Sequence, residues 1–289
     1  MTSPATVPLV LHPSAVPGPG ASVRLASAVL RSAHPGPTLA VTAITGLLAA
    51  AAGLPPGRAA TVTTAVMTGQ LTIGWGNDLV DAARDRQVGR TDKPLASQQV
   101  TAGAVKATMA ATGAACVALS ARVGWRSGLL NVLCGAGAGH AYNLALKATP
   151  WSWVPYASAF GTLPAVVSLA AVPPARPPAP RTLAAACLGV AAHFLNVIPD
   201  LGDDAATGVR GLPHRLGRRR SQAVATALLV GATTGAVLAD GSGVRPSGWA
   251  ALALTLCLAP VALLGEGRAP FRAAVAIALL DVLLLAVDG

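Results

Sequence analysis

The sequence predicts an all-α membrane protein, a bundle of nine transmembrane helices, on three observations. Only 11 % of its 289 residues are charged, less than half of the roughly 25 % usual in a water-soluble domain. Mean hydropathy is +0.58. The apolar residues also collect into nine runs, each near the ~20 residues that cross a hydrocarbon core as a helix. A water-facing surface could not be covered with so few charges.

Residues 1–22 are Pro-rich and carry no basic stretch followed by an unbroken apolar one. They read as a disordered tail rather than a secretory leader, and residues 23–289 as a single transmembrane domain. The expected spans are 37–54, 59–76, 99–120, 127–145, 152–173, 181–199, 221–240, 247–265 and 269–287. Pro155 and Pro164 interrupt the fifth and Pro260 the eighth, breaks that neighbouring helices can re-satisfy within a membrane. Small residues fill the runs, as in GAGAGHAYN (135–143), and let helices approach closely.

Charge and cysteine exclude several functions. The four cysteines lie far apart in apolar runs, with no C-x-x-C pair, so neither a zinc site nor a disulfide framework is indicated. The net charge of +10 would suit a nucleic-acid binder, but the basic residues occupy short loops between apolar runs. No nucleic-acid partner is expected, and no obligate protein partner is implied. With the N-terminus inside, fifteen Lys and Arg fall on the cytoplasmic side and six on the other, the orientation that the positive-inside rule favours.

Eleven residues are acidic, and most fall in two segments, after the second and the sixth runs. In NDLVDAARD (77–85), Asp78, Asp81 and Asp85 share one face of a continuing helix, with Asn77 one turn before Asp81. In NVIPDLGDDAATG (196–208), Asn196, Asp200 and Asp204 follow at successive i+4 steps with Asp203 beside them, and His193 joins that face if the helix survives Pro199. Same-face carboxylates repel one another, and more so near a membrane. A cation between the clusters answers that cost. Carboxylate and amide oxygens without His or Cys suit a hard ion, Mg²⁺ or Ca²⁺. Basic segments, RDRQVGRTDKPLAS (84–97) and GVRGLPHRLGRRR (208–220), trail both clusters. Acids holding Mg²⁺ with Arg and Lys beside them make a metal–diphosphate site.

These segments resemble the signatures of the UbiA superfamily of intramembrane prenyltransferases. NDLVDAARDRQVGRTDKPLAS is similar to its N-D-x-x-D-x-x-x-D motif and the R-T-x-(R/K)-P-L that follows. DLGDDAATGVRGLPHRLG is similar to its D-x-x-x-D motif with the L-P-x-R-L-G after it. LRSAHPGPTLA (30–40) resembles the family's R-x-x-x-P entry to the first helix. The resemblance covers roughly residues 25 to 287. It implies a nine-helix bundle open laterally to lipid, in which Mg²⁺ held by Asn77, Asp78, Asp81, Asp85, Asp200 and Asp204 binds the diphosphate of a prenyl donor. Asp78, Asp81, Asp200 and Asp204 become the catalytic acids. Arg31, Arg84, Arg90, Lys93, Lys147 and Arg210 become the diphosphate contacts. Ionisation gives an allylic cation, which a lipophilic, aromatic acceptor attacks. A cyclase on the same scaffold, closing a ring with no acceptor, is the alternative. The family implies an integral protein of a bacterial cell membrane, its site toward the cytoplasm.

Two departures stand out. The family's Tyr-x-x-x-Lys appears here as Tyr142 and Lys147, one residue wider, and on an α-helix that spacing turns the two apart. Lys93 stands where Arg is commoner, which keeps the charge and loses the bidentate fork. Gln70, Tyr142, His193 and Asn196 are candidates for the acceptor and prenyl pocket. Trp75, Phe160 and Phe194 could line it, while Trp151, Trp153 and Tyr156 read as interfacial anchors. His140 reads as a packing residue.

Overall fold

In the computed structural model, which describes residues 19–238 and 244–287, every described secondary-structure element is helical. The elements are α1 (Pro19–Ser32), α2 (Pro35–Ala51), α3 (Pro56–Gln87), α4 (Ala102–Val123), α5 (Trp125–Leu130), a π-helical segment (Asn131–Gly137), α6 (Ala138–Ala141) and a second π-helical segment (Tyr142–Leu146). They continue with α7 (Val154–Ser168), α8 (Ala179–Val197), a 3₁₀ turn (Ile198–Asp200), α9 (Leu201–Ala206), α10 (Leu212–Leu238), α11 (Pro246–Leu264) and α12 (Ala269–Val287).

Each of the nine apolar runs overlaps a helix over most of its described residues. Four helical stretches are long and apolar enough to cross a membrane by length and composition: Ala102–Val123, Ala179–Ala206, Leu212–Leu238 and Pro246–Leu264. The expected tail is helical from Pro19, so residues 19–22 belong to α1, and residues 1–18 lie outside the described part.

The helices close a ring. α2 packs on α3, α3 on α4, α4 on α5, α5 and its π continuation on α7, α7 on α8, α8 on α10, α10 on α11, and α11 on α12, which returns to α2. Apolar side chains line the seams, with Val41, Val62, Val66, Leu163 and Val167 in one cluster and Phe194, Leu195, Leu229 and Ile277 in another. Leu129, Leu133, Leu144, Leu254 and Leu256 are exposed, as lipid-facing positions should be, since lipid tails are as apolar as leucine.

Polar caps hold the ends. Arg58 donates from Nε to the carbonyl of Ala170 at 2.7 Å and from a terminal nitrogen to that of Val123 at 3.0 Å, satisfying orphan carbonyls at the C-terminal ends of α7 and α4. On the other side, α3 passes so close to the α1–α2 connection that a Cβ on Gly74 would stand 2.0 Å from the Ala33 carbonyl oxygen. Only glycine permits that approach. Trp75 tightens the same contact by donating from Nε1 to the Val29 carbonyl at 2.8 Å. It is a packing residue, not a pocket wall.

Candidate active site

The first motif rides on α3, which continues unbroken from its apolar half to Gln87. Asp78 and Asp81 are buried, 1 % and 6 % exposed, and Asp85 is half-buried. Asn77 donates to Asp81 Oδ2 at 3.1 Å and to Asn143 Oδ1 at 3.3 Å, and Asn143 donates to the Ile73 carbonyl at 2.9 Å. A buried amide therefore ties the chain after α6 to the motif. Asn143 carries no charge and sits in an apolar run, so only its contacts reveal it.

The chain's own cations occupy the space between the acids. Arg84 meets Asp81 Oδ1 at 2.6 Å, and Lys147 meets Asp81 Oδ2. Lys93 stands 3.6 Å from Asp78 Oδ1 and 2.9 Å from His34 Nε2. Asp78 Oδ1, Asp78 Oδ2 and Asp85 Oδ2 are buried without a hydrogen-bond partner of normal geometry among the described residues. Burial raises the Asp78 carboxyl above the usual carboxylate range, opposed by Lys93, and it raises Asp85 in the same way. Buried carboxylate oxygens with spare lone pairs are what a hard cation requires.

His34 was not legible as a site residue. It caps α2 in the left-handed region, φ 54 and ψ 66, a conformation that non-glycine residues hold only when their surroundings enforce it. Burial, then the Lys93 charge, pushes its pKa down to about 3. The neutral ring accepts a hydrogen bond from the Lys93 ammonium and so anchors a lysine that lacks arginine's fork.

The spacing of Tyr142 and Lys147 is resolved by local geometry. Five residues on an α-helix overshoot one turn by about 140°. Here the stretch is π-helical, and the Lys147 amide donates to the Tyr142 carbonyl at 2.9 Å. The wider π turn absorbs the extra residue, as such bulges do at functional sites. Lys147 reaches Asp81, and Tyr142 lies within electrostatic range of Asp81, Asp204 and Arg84. The wider spacing still leaves both residues approaching Asp81, where the sequence had turned them apart.

The second motif differs from the face expected for it. α8 ends at Val197, Pro199 falls in the 3₁₀ turn, and α9 restarts at Leu201. His193 is buried, Asn196 exposed and Asp200 half-buried, so the three do not share one environment. Asp200 meets Arg90 at 3.4 Å, and Asp204 meets His214 Nε2 at 3.1 Å. Arg90 also holds Asp92 at 2.9 and 3.0 Å, and these hydrogen bonds push the Asp92 carboxyl down to about 2. Arg90 thus bridges the loop after the first motif to the second motif and brings both acidic segments to one end of the bundle. His214, also missed in the sequence, fills the variable position of L-P-x-R-L-G.

The remaining candidates divide. Arg31 is exposed and bonds Gln99 in the loop after the first motif. Arg210 is exposed at the second motif. Gln70 lies apart from Tyr142 and His193, lining a small interior cavity with Val41, Val66, Asn131, Phe160 and Leu163. Tyr156 is no interfacial anchor, because it stacks on His193 inside the bundle, whereas Trp151 is 61 % exposed. His140 pairs with Thr72 Oγ1 at 3.2 Å, as a packing residue would. No cluster of three His, Cys, Asp or Glu closes on one point among the described residues. An ion that takes two carboxylates and completes its shell with water and phosphate still fits the orphaned oxygens.

A model of the UbiA prenyltransferase family matches residues 39–280. The apo structure of a UbiA homologue from Aeropyrum pernix has a TM-score of 0.70 at 19 % identity, over 91 % of this chain and 98 % of that one. A UbiA homologue from Archaeoglobus fulgidus bound to GPP and Mg²⁺ gives 0.65 at 16 % identity, over 90 % and 99 %. A digeranylgeranylglyceryl phosphate synthase structure gives 0.63 at 17 % identity, over 90 % and 96 %. No curated protein sequence matches closely enough to stand as a relative.

Proposed function

The chain belongs to the UbiA prenyltransferase family, and from that premise we propose that it ionises a prenyl diphosphate within the membrane and transfers the isoprenyl group to a lipophilic, aromatic acceptor. One observation carries the reading. Two acidic segments, about 120 residues apart in sequence, meet at one end of the helix ring with buried, under-partnered carboxylate oxygens and four cations among them. The A. fulgidus homologue bound to GPP and Mg²⁺ supports it.

Asp78, Asp81, Asp85, Asp200 and Asp204, with Asn77, would hold Mg²⁺, which supplies charge to stabilise departing diphosphate without proton transfer. The chain's own part is to bind and exclude. Lys93, Lys147, Arg84 and Arg90 exchange a carboxylate partner for phosphate oxygens, and Arg31 and Arg210 add charge at the rim. The apolar walls keep water from the allylic cation, which an acceptor then meets. We place nine spans in the bilayer, with α1 to α12 as one domain, the N-terminus inside and the site facing the cytoplasm.

The test is a panel of labelled prenyl diphosphates with and without acceptors, applied to the purified protein in nanodiscs with Mg²⁺. Donor-dependent diphosphate release that vanishes in Asp78→Ala, with product formed only when an acceptor is present, supports transfer. A terpene formed with no acceptor replaces transfer by ring closure. Equal release by Asp78→Ala removes the site.

A further inference from the structure

Beside the carboxylates lies a compact cluster of rings. Tyr142 packs edge-on against Tyr156 and His193, with centroids 5.3 and 5.5 Å apart. Tyr156 stacks on His193 at 4.6 Å, and Phe194 closes the side at 5.9 Å. Asn196 lies close to the Tyr156 hydroxyl. Tyr142, in range of Asp81 and Asp204, joins the cluster to the place where diphosphate would leave.

The hydrogen-bond count fixes the state of His193. Ser152 is fully buried and sits 3.0 Å from His193 Nε2. Its oxygen already accepts the Leu212 amide at 3.0 Å. A buried hydroxyl must also place its single proton, and His193 Nε2 is the acceptor in reach. Ser152 therefore donates to Nε2, and the neutral ring carries its own proton on Nδ1. That Nδ1 is buried with no hydrogen-bond partner among the described residues, in a side chain 1 % exposed. Leaving a buried donor orphaned is costly, and the cost is recovered if a ligand oxygen accepts from it.

We infer that His193 is the hydrogen-bond donor that selects the acceptor, presenting Nδ1–H to a carbonyl or hydroxyl oxygen of the co-substrate beside the Tyr142 and Tyr156 rings. The inference rests on the transferase reading and deepens it, because it names the acceptor class. A group with an accepting oxygen is favoured over an alkene or a protonated amine. The assignment also makes His193 a recognition element and not the base that removes a proton. Ser152, through its bond from Leu212, holds the ring in that tautomer from a segment distant in sequence.

The test uses the full chain, ¹⁵N-histidine labelled, in nanodiscs. The His193 signals are assigned by their loss in His193→Gln or His193→Phe. Nitrogen NMR should find Nδ1 protonated and Nε2 bare in the wild type. Benzyl alcohol should shift the Nδ1 signal and toluene should not. Ser152→Ala should admit the other tautomer and weaken the response to benzyl alcohol by about tenfold in apparent affinity, the scale of one hydrogen bond. A proton found on Nε2 in the wild type, or equal responses to the two probes, overturns the inference. The panel of labelled prenyl diphosphates with Mg²⁺, with and without acceptors, run on the same wild-type sample, separates the premises: absence of diphosphate release across the panel would refute the enzymatic reading while leaving the tautomer result intact.

Discussion

At the first motif the backbone is one uninterrupted helix, two of its aspartates are buried, and Arg84, Lys93 and Lys147 approach them from three parts of the chain. At the second, Pro199 breaks the helix, Asp200 ends the 3₁₀ turn at the break and Asp204 lies in the helix restarted after it, and among the described residues Asp200 pairs with Arg90 and Asp204 with His214. Both segments have the same type of sequence, yet one is held rigid and the other rests on a joint. The contrast teaches that one continuous helix sets the positions of the first motif's acids, whereas the turn at Pro199 sets those of the second.

The largest expected effect breaks the first motif. Asp78→Asn should lower Mg²⁺-dependent diphosphate release by about 10³-fold or more, since it removes a charge aimed at the developing anion's metal. The same change should raise the melting temperature of the metal-free protein by about 2–4 °C, because it removes a poorly compensated buried carboxylate. Release assays and thermal melts of one preparation check both. Next, Gly74→Ala forces a backbone clash at 2.0 Å beneath the first motif and should cost more than about 3 kcal/mol, read as lost folded yield. Third, deleting Ala145 shortens the Tyr142–Lys147 spacing to one α turn. Activity should stay within about tenfold if the π turn serves only to absorb the residue.

A fourth prediction separates the buried acids of the first motif from the exposed loop acid Asp92 by pH. Burial raises Asp78 and Asp85, so their contribution to stability is fully present below the unfolded value of about 3.9 and is lost as pH rises through the raised folded values. The metal-free protein should therefore melt higher as pH falls from about 7 toward 4, and Mg²⁺ should flatten that trend by favouring the charged forms. Asp92, held down to about 2 by Arg90, has the opposite sign. Its contribution is present above the unfolded value and fades as pH falls toward 2, and exposure keeps it small. Melting curves across pH, with and without Mg²⁺ and with Asp78→Asn, check the assignment. The smallest effect is Gly202→Ala in α9, where an added Cβ meets nothing within 4 Å. It should raise stability by under about 1 kcal/mol and leave the first motif unchanged.

How far the sequence reached depended on how far each partner was. Asp78, Asp81 and Asp85 share a face because α-helical spacing is a local rule and nothing interrupts α3. The same rule failed at Tyr142 and Lys147, where the helix widens to a π turn, and at His193, Asn196 and Asp200, where Pro199 breaks the register. His34 finds Lys93 across 59 positions and Ser152 finds His193 across 41. No periodicity encodes such pairs, so Lys93 and His193 were legible as candidates while their partners His34 and Ser152 gave no sign of their roles. The nine apolar runs were legible as helices from composition, whereas the ring order of α2 to α12 arises from which faces meet.

The pairs Arg84–Asp81, Lys147–Asp81, Lys93–Asp78 and Arg90–Asp200 make loading the site an exchange rather than an addition. A divalent ion can take these oxygens only as the basic side chains let go, and the released cations then need an anion. On the proposed function, diphosphate is that anion. Each ligand therefore raises the affinity for the other by the same factor, as linkage requires, and neither alone displaces the chain's internal counterions well. On the proposed reading the paired oxygens resist a metal ion or a phosphate arriving alone, while the unpartnered oxygens of Asp78 and Asp85 stay open to the ion.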